Sequence, residues 1–223
     1  DVVIVYAKTD VNKGNKGITA FVVETNNPGF KVVSKLKKMG FRGSQTSELF
    51  FENLKVSEKN ILGKEGQGHV VAMNGLDFER AMIAPISLGI SERALEISIE
   101  YAKIREQFGK PISSFQMIQS KLADMYTWVQ SIKALVYVVL AECDATDKKE
   151  GGRGQIHMNT AASVMHAAST SNKVLDETLQ IHGGMGYMWE SEANRLYRAN
   201  KLLEIGAGTT EVRKMIISKV LLK

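Results

Sequence analysis

Glu79 is the side chain best placed to move a proton. It stands in Gly75-Leu76-Asp77-Phe78-Glu79-Arg80, inside a long apolar segment from Val70 to Tyr101. At helical spacing Leu76, Glu79, Ile83, Ile86 and Ile90 share one face, four aliphatic side chains and one carboxylic acid. A carboxylate on a buried stripe is costly unless it is hydrogen-bonded, paired or protonated. Burial moves its pKa toward neutrality, where a general base works best. The plainer reading is a solvated helix-face glutamate beside an arginine; Asp77 and Arg80, one turn apart, can also pair. The second stretch with chemical capacity is Ile205-Gly206-Ala207-Gly208-Thr209-Thr210-Glu211. Gly206 and Gly208 permit unusual dihedrals and close approach of a ligand. Thr209, Thr210 and Glu211 open a helix whose free N–H groups and hydroxyls suit an anion or a polar group. A C-cap, a turn and ordinary N-capping explain the same residues without a ligand.

The elements that must carry these residues fall into two classes. Residues 1 to 60 have strand character: Val2 to Ala7, Ile18 to Glu24, Phe30 to Ser34 and Ser47 to Glu52, with turns at Asn12 to Gly17 and Asn26 to Gly29. Lys35, Lys37 and Lys38 read as a solvated basic face. From 61 onward the period is helical. The first helix is expected from Gly66 to Lys103, kinked at Pro85. Ser113 and Gln116 then form a Ser-x-x-Gln capping box for the next helix. That helix repeats Phe115, Ile118, Leu122, Met125, Val129, Ile132, Val136, Val139 and Cys143 at three-four spacing, a bundle seam with Cys143 as a core thiol. Asp144 to Gly154 reads as a polar loop. Helices over Gln155 to Gln180, Glu190 to Lys201 and Thr209 to Leu222 complete the pattern. The expected fold is α+β: the C-terminal portion of a β domain (1–60), then an up-down helical bundle (61–223).

Composition narrows the function. The 223 residues are 44% hydrophobic and 24% charged, an ordinary globular balance. No apolar run reaches the length of a membrane span. A single cysteine excludes an internal disulfide framework and fits a reducing compartment. The net charge of +5 is spread without interleaved aromatics, so nucleic acid is not the expected partner. An anionic small ligand suits it. His157 and His166 lack partners at metal-ligand spacing, and no metal site is expected.

Three segments then act together: Arg105-Glu106-Gln107-Phe108-Gly109-Lys110-Pro111, Gln180-Ile181-His182-Gly183-Gly184-Met185-Gly186-Tyr187, and the 203–213 stretch. In order and spacing they resemble the acyl-CoA dehydrogenase family of flavoenzymes, over nearly the whole chain. The resemblance implies α,β-dehydrogenation of an acyl-CoA thioester with FAD as cofactor. In most of the family the loop before the last helix carries the catalytic glutamate. Here Ala207 holds that place, and Glu79 matches the displaced base of the isovaleryl-CoA dehydrogenase branch. That branch implies isovaleryl-CoA as substrate and 3-methylcrotonyl-CoA as product, in leucine catabolism. By the same resemblance the Ala207 N–H donates to the thioester oxygen, and the lost side chain leaves room for a branch methyl. Arg105, Gln116, Gln180, Ile181, His182, Gly183, Gly184, Thr209, Thr210 and Glu211 match FAD contacts, partly across a subunit boundary. Asp77, Phe78, Arg80, Ala207 and Gly208 match the acyl-CoA site. Asn15 and Lys16 match a CoA-touching turn but depart from its usual Ser-Arg or Ser-Lys.

The resemblance further implies electron-transferring flavoprotein as electron acceptor and a homotetramer. It places the protein in the mitochondrial matrix of a eukaryote or the cytoplasm of a bacterium. The chain starts inside a strand and reads as a fragment, with further strands of the flavin site expected upstream. Two alternatives stay open: another short-chain or branched-chain acyl-CoA dehydrogenase with a displaced base, and a non-catalytic assembly protein on the same fold.

Overall fold

A computed structural model describes residues 1–145 and 155–223. The chain divides into two compact units, Asp1–Leu76 and Asp77–Lys223, with the division inside a long helix. The polar stretch at 146–154, expected as part of a loop, lies outside the described residues.

The first unit is built on β structure. Strand β1 (Val2–Lys8) pairs antiparallel with β2 (Ile18–Glu24), from Val2 opposite Glu24 to Lys8 opposite Ile18. Side chains of β1 alternate between exposed and half-buried, as a strand with one covered face requires. The connection is a 3-10 turn over Val11–Gly17. Gly17 closes it: a Cβ there would lie 1.8 Å from the Asp10 carbonyl oxygen, so only glycine fits. A second hairpin joins β3 (Phe30–Leu36) to β4 (Thr46–Phe51), with an irregularity between Val32 and Ser34. Short β5 (Ile61–Leu62) extends the first sheet beside β2.

Helix α1 (Gly68–Ile104) runs 37 residues and is continuous through Pro85, where one backbone donor is missing. Its buried face is not the expected aliphatic stripe. Arg80, Ala81, Ala84, Ser87, Leu88, Ser91, Ala94, Ile97 and Ser98 are buried. Ile83 and Ile90 are half-buried, and Ile86 and Glu79 are exposed. The physical reason is approach distance. Alanines and serines let α1 lie close to its neighbours, and Ser91 and Ser98 turn their hydroxyls back to the carbonyls of Ser87 and Ala94 at 2.8 and 2.7 Å.

Two residue pairs follow α1 as a minimal hairpin, β6 (Glu106–Gln107) and β7 (Lys110–Pro111). Helix α2 (Gln116–Ala145) buries Met125, Val129, Ile132, Val136 and Val139, the seam read from its spacing. Cys143, expected in the core, is only half-buried at the end of that seam. The capping box does not form. Ser113 belongs to a 3-10 turn at Ile112–Ser114, and the extended residue before α2 is Phe115 (φ −92°, ψ 131°), so the serine lies too far back to cap. Gln119 Nε2 instead donates to the Ser113 carbonyl at 3.0 Å.

Helix α3 (Gln155–His182) occupies the centre of the helical unit, with buried residues from Thr160 to Ile181 around much of its circumference. One turn, α4 (Gly184–Tyr187), follows, then α5 (Glu192–Ile205) and α6 (Thr210–Leu221). One cluster joins Ala84 and Leu88 of α1, Val129 and Ile132 of α2, Val164 and Leu175 of α3 and Leu196 of α5. A strand-bearing first unit and a helical second one make the α+β class of the sequence reading. No described helix is long and apolar enough to cross a membrane. Among the described residues no group of three His, Cys, Asp or Glu side chains is placed to hold a metal.

Two polar links orient α5, the helix leading into the 206–208 loop. Asn200, fully buried, donates Nδ2 to the Ala168 carbonyl at 3.0 Å and to Asn172 Oδ1 at 2.8 Å. Asn200→Ala removes both hydrogen bonds and is expected to lower stability by about 1–3 kcal/mol, read by chemical denaturation. Arg93 of α1 grips Glu192 through Nε and Nη2 at 3.2 and 3.0 Å. The Arg93 hydrogen bond holds the Glu192 carboxyl below the ordinary glutamate range. A depressed carboxyl contributes stability above its unfolded pKa and loses it as pH falls through the lower folded value. The Arg93–Glu192 contribution is therefore expected to be present at pH 6 and lost below about pH 4, with Arg93→Met flattening that part of the stability–pH curve.

Candidate active site

The site is organised by a link between residues 127 positions apart. Arg80 is buried at 3% exposure on the bundle face of α1, and its Nε donates to the Ala207 carbonyl at 3.1 Å. This bond brings the α1 turn that carries Glu79 to the loop between α5 and α6. Glu79 lies next to Arg80 in sequence but about 100° away around the helix, and its side chain is exposed in this chain. The described residues therefore leave that carboxylate exposed. Phe78 is 42% exposed, and the Asp77 side chain lies outside the described residues.

The loop has a defined shape. The Gly206 N–H closes α5 by donating to the Leu202 carbonyl at 2.7 Å. Ala207 has φ +52° and Gly208 φ +98°. The left-handed region costs an alanine about 1 kcal/mol, so the conformation must be held from outside. Two guanidinium groups hold it. Besides Arg80, Arg213 of α6 is fully buried and donates Nη2 to the carbonyls of Leu203 and Gly206 at 2.9 and 2.5 Å. Burial first, then the nearby Arg80 charge, push the Arg213 pKa down, against Glu204, which raises it. Both carbonyls lie at the negative end of α5, where a cation is favoured. The Ala207 N–H donates to no protein acceptor among the described residues. Sequence reasoning assigned Arg213 no role. Its signal was an arginine one turn inside a short, largely apolar helix, four residues after the cap.

Helix α6 is capped as expected. Thr209 Oγ1 accepts from the Val212 N–H at 3.5 Å. Glu211 is held below its ordinary pKa by its own backbone N–H and then by the Thr209 hydroxyl. Thr210 donates to the Glu204 carbonyl at 3.5 Å. With a carboxylate already at this helix start, the position suits a neutral polar edge better than a diphosphate.

The other sequence-derived contacts gather where α1 and α3 end. The rings of Tyr101 and His182 stack at 4.4 Å, and His182 Nδ1 bonds the Thr178 carbonyl at 2.8 Å, which leaves Nε2 the non-protonated nitrogen of the neutral ring. Arg105 is exposed just past α1, its N–H held by the Tyr101 carbonyl at 2.8 Å. Gln116 and Gln180 are exposed, whereas the Ile181 side chain is core, at 5% exposure. Gly183 (φ +56°) and Gly184 have open space where a Cβ would stand. A cation, two free-standing amides and uncovered backbone are the donor types a flavin dinucleotide needs, a guanidinium for the diphosphate and amides for sugar and base. The exposed Asn15 and Lys16 lie in the β1–β2 connection of the other unit.

Residues 66–222 match the acyl-CoA dehydrogenase C-terminal domain. The chain belongs to the acyl-CoA dehydrogenase family. Among acyl-CoA dehydrogenases it is 46% identical to the mitochondrial isovaleryl-CoA dehydrogenase of Oryza sativa subsp. japonica, over 99% of this chain and 52% of that protein. It is also 46% identical to the mitochondrial 2-methylacyl-CoA dehydrogenase of Solanum tuberosum, again over 99% of this chain and 52% of that one. The solved butyryl-CoA dehydrogenase from Megasphaera elsdenii superposes with a TM-score of 0.90 at 42% identity, covering 100% of this chain and 56% of the other. The chain thus spans about half the length of these relatives.

The two loop residues differ in their response to substitution. A Cβ on Gly208 would meet Val212 Cγ1 at 3.4 Å and Arg80 Nη2 at 3.7 Å, ordinary contacts, so φ rather than space demands glycine. Gly208→Ala is expected to cost about 1 kcal/mol or more through strain. Ala207→Gly is expected to change stability by less than about 0.5 kcal/mol, because relief of strain offsets the added chain entropy. Denaturant titration of both variants checks the contrast.

Proposed function

We propose that this chain carries the base and the thioester-oxygen donor of a flavin-dependent acyl-CoA dehydrogenase acting on a short branched acyl-CoA. The observation that carries the reading is the Arg80–Ala207 hydrogen bond, which gathers a carboxylate-bearing helix turn and a loop with an uncommitted N–H. Glu79 takes the α-proton of the thioester. Its exposure in this chain means that desolvation comes from the bound acyl chain and from whatever else covers the site. The Ala207 N–H donates to the thioester oxygen as negative charge builds there. Asp77, Phe78, Arg80 and Gly208 line the acyl-CoA side of the site, with Asn15 and Lys16 as CoA contacts from the β unit. Arg105, Gln116, Gln180, His182, Gly183, Gly184, Thr209, Thr210 and Glu211 hold FAD, with Ile181 anchoring their segment in the core. Bound FAD supplies the hydride acceptor.

Isovaleryl-CoA is the first substrate to test. Equal 46% identity to an isovaleryl-CoA and a 2-methylacyl-CoA dehydrogenase favours a 2-methyl-branched thioester as the second. Electron-transferring flavoprotein is the proposed acceptor and a homotetramer the proposed assembly. The location is the mitochondrial matrix in a eukaryote or the cytoplasm in a bacterium.

The test is anaerobic bleaching of the flavin by isovaleryl-CoA in the holoenzyme and in Glu79→Gln. Rapid bleaching by the holoenzyme is expected, with a loss on the order of 10²–10⁴ in rate in the variant. Normal bleaching by a variant that still binds FAD and substrate would remove Glu79 from the role of base. Response only to a 2-methylacyl-CoA would move the branch point and keep the reaction, and absence of flavin from the purified protein would favour an assembly role.

A further inference from the structure

The two buried arginines do more than fasten the loop. A peptide group is one polarisable unit: a strong donor on its carbonyl withdraws electron density from its own N–H and makes that N–H a better donor. The carbonyl of Gly206 and the N–H of Ala207 belong to the same peptide. That carbonyl accepts a 2.5 Å bond from the Arg213 guanidinium, which has no solvent-accessible surface, so its charge is less screened than one in water. The next peptide, Ala207 to Gly208, is polarised in the same sense by Arg80 on the Ala207 carbonyl at 3.1 Å. Arg213 Nε and Nη1 are buried with no hydrogen-bond partner among the described residues. A cation left partly unpaired in the interior is costly, and a role in packing alone would be met at lower cost by an apolar side chain of similar volume.

Resting on the acyl-CoA reading above, we propose that Arg213 is a positioning and polarising residue, acting through the Gly206–Ala207 peptide to strengthen the Ala207 N–H as donor to the thioester oxygen. Arg213 touches neither substrate nor flavin in this scheme. It fixes the left-handed Ala207 conformation that aims the N–H, and its charge favours the enolate-like oxygen over the ground-state carbonyl. An interaction that grows with developing charge appears in kcat more than in KM.

The experiment uses the holoenzyme, Arg213→Met and Arg213→Lys. Each is checked for flavin content and loaded with enoyl-CoA carrying a ¹³C-labelled thioester carbonyl. Difference infrared spectroscopy reads that carbonyl directly and independently of turnover. In the holoenzyme the labelled stretch is expected below its value in free thioester. In Arg213→Met it is expected to return toward the free value, with kcat down on the order of tenfold and KM changed by less than about threefold. Arg213→Lys keeps the charge without the planar fork and is expected to fall between. A flavin-replete Arg213→Met with the holoenzyme's carbonyl frequency and kcat would overturn the proposal and leave Arg213 a helix-end cap. If Arg213→Met does not retain FAD, Arg213→Lys decides by the same two readings, and an unshifted frequency there overturns the proposal. A holoenzyme that neither turns over any acyl-CoA nor shifts the carbonyl overturns the acyl-CoA reading itself, an outcome distinct from an active holoenzyme with an indifferent variant.

Discussion

A buried guanidinium bonded to a loop carbonyl is the contact on which the shape of the 206–208 loop depends. Arg80 sits among buried alanines and serines on α1, and its long side chain reaches the 206–208 loop. Burying a charge is unfavourable unless strong acceptors meet it. For Arg80 the acceptor is the Ala207 carbonyl in the loop; the last carbonyls of α5, at the negative end of its dipole, supply acceptors for a second cation. Arg213 meets the same need from α6. The loop is thus defined by charges placed behind it rather than by its own backbone preference, which disfavours the conformation of Ala207.

The division of labour across the loop follows. Its carbonyls face inward to two cations, and the Ala207 N–H donates to no protein acceptor among the described residues. With alanine at 207 the loop presents no carboxylate to compete for the guanidinium groups, and the two positive charges are held close enough that Arg80 depresses Arg213. Such an arrangement concentrates positive potential behind the 206–208 loop. The nearest carboxylate in sequence to Arg80 is that of Glu79, on a different and exposed side of the helix.

Much of the frame was legible from local pattern. The boundaries of β2 and the seam residues Met125, Val129, Ile132, Val136 and Val139 follow from periods of two and of three to four, which depend on backbone geometry alone. The Thr209 cap was legible because capping is local. The Ser113 cap failed because a 3-10 turn and an extended Phe115 push the helix start two residues on. The α1 face was misread for another reason. Hydrophobicity ranked Ile83, Ile86 and Ile90 above Ala84, Ser87 and Ser91, whereas close packing selects small residues irrespective of polarity.

The sequence by itself determined which groups are present for chemistry: one carboxylate at 79, no carboxylate at 207, two glycines flanking an alanine, and a set of motifs that belong together. Residue type and spacing suffice for that, because reactivity and helix or strand period are properties of short segments. Only the tertiary structure decided that Arg80 and Arg213 are buried, that both serve loop carbonyls, and that Glu79 stays outside the bundle core. Those outcomes depend on contacts distant in sequence, 127 positions for Arg80 and Ala207, and burial is a property of what packs on a side chain rather than of its neighbours in sequence.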